Sequence, residues 1–398
     1  MNRDCSSSSS SSSSISNTTV TILMARIFDV LERIPLIGSN AQAISMAQNR
    51  SLDSIITGVV SKSVKRIDAL LKTLRKKYDL SNGETDQWRL YLKEACETFQ
   101  SSIPRNSLRE PLPLSIACIK LNYEQMILRR RSSSNNVTAS FCIVKGVDAL
   151  ILPKSPLAHD AIVQVASQFN FLESENEYHN NIQNYINDRT QGPRASLGVL
   201  SALLLRDACF RSSDQNSAFF SGIDCYKSGY FMPYKLSNQQ QQKTILTDLR
   251  IKIDELNILA QWGIPDTGGS IPLMQVFTAA PSYQGNREPP QYSDGHRLCT
   301  LLVEAQYRAI AQIAVLRSMH IHKPVPLHLT LVGQGVFNNP QSVMKSAFKA
   351  VYDTVEGFNV KVYFHGFSEP DVMKIKNGFE FTGITLPIID RDDFFRDQ

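Results

Sequence analysis

The chain has 398 residues, 42% hydrophobic and 20% charged, which excludes a fibrous or wholly disordered protein and allows two domains, or one large domain with an appendage. Its formal charge of +5 suits an anionic small ligand or an acidic partner and falls short of the basic stripe that nucleic-acid binding needs. Seven scattered cysteines with no C-x-x-C pair read as reduced thiols of a cytoplasmic protein, and His320 and His322, without a cysteine pair, do not make a metal site.

Residues 1–19 carry nine consecutive serines, Ser6 to Ser14, and are expected to be a disordered tail. The apolar stretch "VTILMARIFDVLERIPLI" is broken by Arg26, Asp29 and Glu32, so no membrane span is expected, and a serine run rather than a basic segment precedes it, unlike a secretory signal. Residues 20–128 read as a helical domain. In "SIITGVVSKSVKRIDALLKTLRKKYDL" apolar residues recur every three or four positions and the last turn is basic, which predicts one helix. In "SNGETDQWRLYLKEACETF", Gly83 closes one element and Thr85 is the expected N-cap of the next. "RRRSSSNN", within residues 129–137, predicts a linker.

From residue 138 to 398 the pattern alternates strands and helices. "ASFCIVKGVDALILP" predicts two short strands about Lys145 and Gly146, and "DAIVQVASQFNFLE" a buried strand. "GPRASLGVLSALLLRDACF" predicts a helix opened by Pro193, and "QQQQKTILTDLRIKIDELNILAQWG" another, fronted by a glutamine surface loop. Then follow the strand "IPLMQVFTAAPSY", the helix "DGHRLCTLLVEAQYRAIAQIAVLRSM", the strand "PLHLTLVG", the helix "PQSVMKSAFKAVYDTV" and the strand "NVKVYFHGF". Nearly all-apolar strands alternating with helices imply a largely parallel sheet covered on both faces, an α/β fold in three layers.

The most informative turn is "LTLVGQGVFNNP", Leu329 to Pro340, between a strand and a helix. Ligands of open α/β sheets settle beyond the carboxyl ends of the strands. Gly333 and Gly335 there permit backbone angles at which successive N–H groups form an anion nest, Asn339 is positioned to cap the following helix, and Pro340 suits its first turn. The turn reads as a phosphate or diphosphate site with Phe337 beside a sugar or base. Without Lys-Ser/Thr it is not a Walker loop, and without a third glycine it is not the dinucleotide fingerprint.

Three motifs, "QFNFLE", "DRTQGP" and "LVGQGVFNN", together with the corner "MQVFTAAPSY", resemble a macrodomain, and in particular a divergent, MavL-like branch that includes an effector removing ADP-ribose from arginine on ubiquitin. The resemblance covers about residues 138–370. It implies a three-layer α/β/α macrodomain-like sheet, with ADP-ribose as ligand or product and no cofactor. It also implies an ADP-ribosylated protein as partner, with ubiquitin one such protein, and, for an effector, action in the host cytosol. On this resemblance Gly333, Gln334, Gly335, Val336 and Phe337 hold the diphosphate and distal ribose through backbone N–H groups, and Asn338 lines the rim. Asn170 bonds a ribose, and Asp188, Thr190 and Gln191 form the facing loop. The sequence departs from the family at the first loop, where Gly192 stands alone between Gln191 and Pro193, and at Arg308, where the family pattern has glutamate. These departures bear on cleavage more than on binding.

Hydrolysis of an ADP-ribosyl bond passes through an oxocarbenium-like state and needs a carboxylate near the anomeric carbon. Asp294 in "QYSDGHRL" is the first candidate, against the plainer role of helix N-cap. Glu304 is the second, against an i,i+4 pair with Arg308. Asp266 in "GIPDTGGS" reads as a turn residue, and Ser293, Asp294 and His296 crowd one helix start too closely to form a hydrolytic triad. Three functions remain open: an ADP-ribosyl-protein hydrolase, a non-catalytic ADP-ribose reader, and an interaction protein whose helical half docks a host partner.

Overall fold

The computed structural model describes residues 38–396 except 82, 131–137, 174–181, 212, 237, 268–270 and 284–287; the serine tail, residues 20–37 and most of the expected linker lie outside them. Among the described residues four helices come first: α1 (Gly38–Thr57), α2 (Lys62–Arg75), α3 (Thr85–Ser102) and, after the two-residue strand β1 (Leu114–Ser115), α4 (Ile116–Arg130). The single helix expected across residues 54–80 is broken. Gly58 takes φ +85°, and a Cβ there would lie 3.1 Å from the Arg317 guanidinium, so the chain turns and Ser61 restarts the helix by accepting the Val64 N–H at 3.2 Å. Helix α2 then buries Val64, Ile67, Leu71 and Leu74, one face of a 3.6-residue period. At α3 the residue before the first turn is Glu84, which makes no side-chain cap, so Thr85 is helical and not the N-cap. Arg129 and Arg130, expected in a linker, continue α4.

The alternating region supplies β2 (Ser140–Lys145), β3 (Ile162–Ala166), α5 (Gln191–Leu197), α6 (Leu200–Phe210), a ribbon of β4 (Tyr226–Lys227) and β5 (Tyr230–Phe231), and α7 (Gln239–Ile251). It continues with β6 (Asn257–Gly263), β7 (Leu273–Thr278), α8 (Asp294–Ile321), β8 (Val325–Leu329) and α9 (Gln341–Val355). It ends with β9 (Val360–Gly366), α10 (Glu369–Phe379), β10 (Ile388–Asp390) and α11 (Arg391–Phe394). Eight strands form one sheet in the order β1-β6-β7-β3-β8-β9-β2-β10. Neighbours from β7 to β10 are parallel, whereas β6 and β1 run antiparallel at one edge.

Every residue of β7 is buried, and so are four of the five in β3; since successive side chains point to opposite faces, both faces of the sheet are covered. The covering helices sort into two packed sets, α4, α7, α8, α9 and α10 on one hand and α2, α3, α5 and α6 on the other. The protein is thus α/β, with a central sheet between helical layers. Within the compact unit Gln48–Gln398, Trp88 and Val64 of the front helices share one buried core with Val276 of β7 and Val362 of β9.

Three local expectations are corrected. Residues 147–154 form turns and a short 3-10 helix, not a second strand, because Pro153 brings no N–H to a ladder. The helix expected from Pro193 onward splits into α5 and α6 at Gly198, where a Cβ would sit 2.9 Å from the Leu150 carbonyl oxygen. The glutamine run lies inside the first turn of α7, capped by Asn238, whose side chain accepts the Gln241 N–H at 2.9 Å; "NILAQWG" is strand β6. A fully buried strand reads as a continuous apolar run, which periodicity does not separate from a buried helix.

Asp266 is also more than a turn residue. Its buried carboxylate accepts from Arg75 Nε at 2.7 Å, Tyr91 O–H at 2.6 Å and Leu200 N–H at 2.6 Å, joining α2, α3 and the start of α6. Burial pushes its pKa up, and the Arg75 charge pulls it back.

Candidate functional site

A cleft of about 520 Å³ opens at the carboxyl ends of β3, β8 and β9. Ala166, Ser167 and Glu173 after β3, with Asp188, Thr190 and Gln191, form one wall. Residues Thr330 to Phe337 after β8 form the middle, and His365, Phe367 and Asp371 at the end of β9 form the far wall. Parallel strands leave their loops at this edge, and there open α/β sheets take ligands. Among the described residues no lysine or arginine lines the cleft, and the groups there that can receive an anion include main-chain N–H dipoles.

The middle is the glycine turn. Gly333 takes φ +83°, and a Cβ on it would stand 2.6 Å from Ala280 Cβ, so both conformation and space require glycine. Gly335 has neither constraint, and the second left-handed residue of the turn is Asn338, at φ +50°. The Gln334 N–H bonds Leu331 O, Asn338 N–H bonds Gly335 O, and Asn339 N–H bonds Gly333 O. Among the described residues the N–H groups of Gly333, Gly335, Val336 and Phe337 find no protein acceptor, and all four residues line the cleft. Asn339 does not cap the next helix, whose N-cap position is Pro340. Its buried amide donates to Pro281 O at 2.6 Å and to Gly333 O and Phe337 O at 3.3 Å, tying the turn to the loop after β7. The Gln334 side chain folds back onto Asn339 O at 3.0 Å and its N–H is spent on Leu331 O, so the backbone donor expected at Gln334 is engaged within the turn.

Buried polar side chains hold the strand ends in place. Gln164 Nε2 donates to Thr278 Oγ1 at 3.0 Å and its Oε1 accepts the Thr330 N–H at 2.9 Å, so one amide spaces the ends of β7, β3 and β8. From α8, Gln306 pairs with both backbone groups of Ala279 at 2.8 and 2.7 Å. Tyr307 donates its O–H to Thr330 O and accepts the Val332 N–H at 3.2 Å. The glycine turn therefore rests on a hydroxyl delivered by a helix 25 residues away in sequence.

On the β3 wall, Gln191 replaces a missing strand partner: its Oε1 accepts the Ala166 N–H and its Nε2 donates to Gln164 O, both at 2.8 Å. Asp188 Oδ1 accepts the Thr190 N–H at 2.8 Å, a turn bond, and both residues line the cleft. Asn170 is not brought to the cleft. It is buried, donates to Ser228 O at 3.1 Å, accepts the Leu172 N–H at 3.2 Å, and lies under Gly229. Asn338 likewise is not among the lining residues.

Glu173, three residues beyond Asn170, is the carboxyl that reaches the cleft. Its Oε2 accepts from Gln168 Nε2 at 3.0 Å, its own N–H donates to Tyr185 Oη at 2.6 Å, and a Cβ on Gly192 would lie 2.5 Å from its Oε1 and 2.1 Å from Ala166 O. The lone glycine of the first loop thus makes room for this carboxyl. Burial first, and then the charge of Asp188, push Glu173 well above the usual carboxylate range, against the opposing pull of Arg206.

Neither expected catalytic carboxylate is in the cleft. Asp294 is the first residue of α8, after the N-cap Ser293, whose side chain accepts the His296 N–H at 3.2 Å. It pairs with Arg297 at 3.3 Å and lines a separate hollow with Tyr234 and Pro290. Glu304 pairs with Arg308 at 2.7 Å on the partly exposed side of α8; Gln306 and Tyr307, two and three residues on, project to the buried side. The cleft instead contains residues that local sequence reading did not single out: Glu173, Tyr230, Thr330, His365, Phe367 and Asp371. Two carried a signal, a carboxylate ending an apolar run in "FNFLE" and a histidine inside the apolar strand "VYFHGF".

No family model matches the sequence, and no curated protein matches it. Among solved structures, a mutant macrodomain of Oceanobacillus iheyensis is similar at 11% identity and a TM-score of 0.30, over 63% of this chain and 95% of that one. The X-domain of IBV, crystallised at pH 8.5, is similar at 9% identity and a TM-score of 0.26, over 61% of this chain and 99% of that one.

Proposed function

We propose that the cleft binds ADP-ribose and that the protein is a mono-ADP-ribosyl hydrolase, removing the group from a modified protein side chain. The observation that carries the reading is the glycine turn: Gly333, Gly335, Val336 and Phe337 line the cleft with main-chain donors that no described residue accepts. A diphosphate satisfies such donors. The cleft extends to either side of the turn, leaving space for a ring system at each end of the diphosphate.

Two carboxyls on the β3 wall support cleavage. Glu173, whose pKa is raised by its burial and by the charge of Asp188, is the acid that gives its proton to the departing side-chain atom as the bond to the anomeric carbon breaks. Asp188 takes the proton of the attacking water and offsets the positive charge on the sugar. The identity of the modified protein, arginine-linked ubiquitin in the MavL-like resemblance, and action in a host cytosol are parts of this same proposal.

The reader without catalysis is the second reading. The placement of Asp294 and Glu304 outside the cleft, with Arg308 paired to Glu304, favours it. Calorimetry with free ADP-ribose tests binding: saturable heat is expected, and its absence at millimolar ligand sinks both readings. Release of ADP-ribose from an arginine-modified protein then separates them.

A further inference from the structure

We propose that His365 is the specificity residue for the base of the bound nucleotide, presenting a fixed hydrogen-bond acceptor at Nδ1 that selects a 6-aminopurine over a 6-oxopurine. The inference rests on the ADP-ribose reading and adds to it a residue and a mechanism.

The acceptor is fixed by a chain of hydrogen bonds that begins at a carbonyl. His328 Nε2 is 2.9 Å from Leu157 O, and a carbonyl only accepts, so Nε2 carries the proton. His328 is 1% exposed, and burial lowers its pKa to about 4, so the ring is neutral at physiological pH and its Nδ1 is a bare lone pair. That nitrogen is 2.9 Å from His365 Nε2, which must therefore donate. Burial and the neighbouring His328 hold His365 well below the ordinary histidine range, so it too is neutral, and its remaining nitrogen, Nδ1, has no proton. Ring contacts hold both planes: His328 stacks on Tyr363 at 4.7 Å, and the edges of both imidazoles meet Phe394 at 6.0 and 5.8 Å.

Three further observations aim this acceptor at a base. First, Nδ1 of His365 has no protein partner among the described residues and is not one of the sealed, unsatisfied polar atoms, and His365 lines the cleft. Second, Phe367 stands two residues on, on the same wall, and is 71% exposed, a free aromatic face on which a planar ring can stack. Third, the other acceptor on that wall is committed: Asp371 Oδ2 takes the Ser368 N–H at 3.1 Å and O–H at 2.7 Å, and its Oδ1 lies 3.6 Å from Lys374 Nζ. A purine stacked on Phe367 while its diphosphate sits at the glycine turn meets a lone pair at its edge. An amino group donates to it; a carbonyl oxygen faces it lone pair to lone pair.

The test compares ADP-ribose with inosine diphosphate ribose, which differs by an oxo group in place of the 6-amino group, using calorimetry on the full chain. ADP-ribose is expected to bind tighter by on the order of 10- to 100-fold. His365→Leu is expected to bring the two ligands within about threefold, by weakening ADP-ribose and relieving the repulsion of the 6-oxo group, with a cooperative thermal unfolding transition like that of wild type showing that the variant is folded. Equal wild-type affinities overturn the inference while the ADP-ribose reading stands, and wild type binding neither ligand overturns that reading first. Independently of any variant, side-chain nitrogen-15 shifts read the tautomer: Nδ1 of His365 is expected to be unprotonated, and a proton found there overturns the proposal.

Discussion

Glu173 and Asp294 are alike on paper, each an acidic residue where an apolar segment meets a loop, yet the structure gives them opposite surroundings. Glu173 is walled in by Gln168, Tyr185 and Gly192 and opens on the main cleft, where burial raises its pKa. Asp294 sits at the start of a long helix, paired with Arg297 beside a different hollow. The difference teaches that a carboxylate's chemistry is set by what other parts of the chain bring to it. Asp266 extends the lesson, since its partners Arg75, Tyr91 and Leu200 come from 191, 175 and 66 residues away.

The largest effect is expected at this third carboxylate. Asp266→Ala leaves the Leu200 N–H and the Tyr91 O–H without their acceptor and Arg75 with Asp68 alone, and should lower unfolding free energy by about 3–5 kcal/mol in a denaturant titration. A change under about 1 kcal/mol would mean that the buried network does not bind the front helices to the sheet. Next, Glu173→Gln should cut release of ADP-ribose by roughly 10²- to 10³-fold with little change in ADP-ribose affinity, whereas Asp294→Ala stays within about twofold of wild type. The reverse pattern returns catalysis to Asp294. With Glu173 as the acid, turnover should also fall on the alkaline side as its raised pKa is passed.

A smaller effect separates the two glycines. Gly333→Ala forces φ +83° on a residue with a Cβ and should cost about 1–2 kcal/mol of stability with a matching loss of affinity, while Gly335→Ala, which meets open space, should be near neutral. Equal effects would show that the loop adapts. Smallest is salt. With no lysine or arginine lining the cleft among the described residues, ADP-ribose affinity should change by less than about threefold between 50 and 500 mM salt, and a steep dependence would reveal a cationic contact from elsewhere.

Much was legible without coordinates. Alternation of apolar strands with helices gave the α/β class, and Leu329 to Pro340 marked the turn that forms the middle of the cleft. Those are local signals: hydrophobic period, a glycine the backbone needs at Gly333, a proline at a helix start. Helix breaks at Gly58 and Gly198 were not legible, because the contacts that demand them are with Arg317 and Leu150. Asn170, a ribose ligand on the resemblance, is engaged by Ser228 and Leu172 and packed under Gly229, brought round by the β4–β5 ribbon and a tight turn.

The amino-acid order by itself determined that β3, β7, β8 and β9 are strands bound for a two-faced core, and where the chain needed glycine to turn at the edge of the sheet, because backbone conformation and apolar periodicity are properties of neighbours in sequence. Only the tertiary structure decided which acid faces the cleft, which asparagine is already engaged, and which nitrogen of His365 is left bare. Burial, hydrogen-bond partners and the resulting proton positions depend on residues tens to hundreds of positions apart that meet only when the layers close over the sheet.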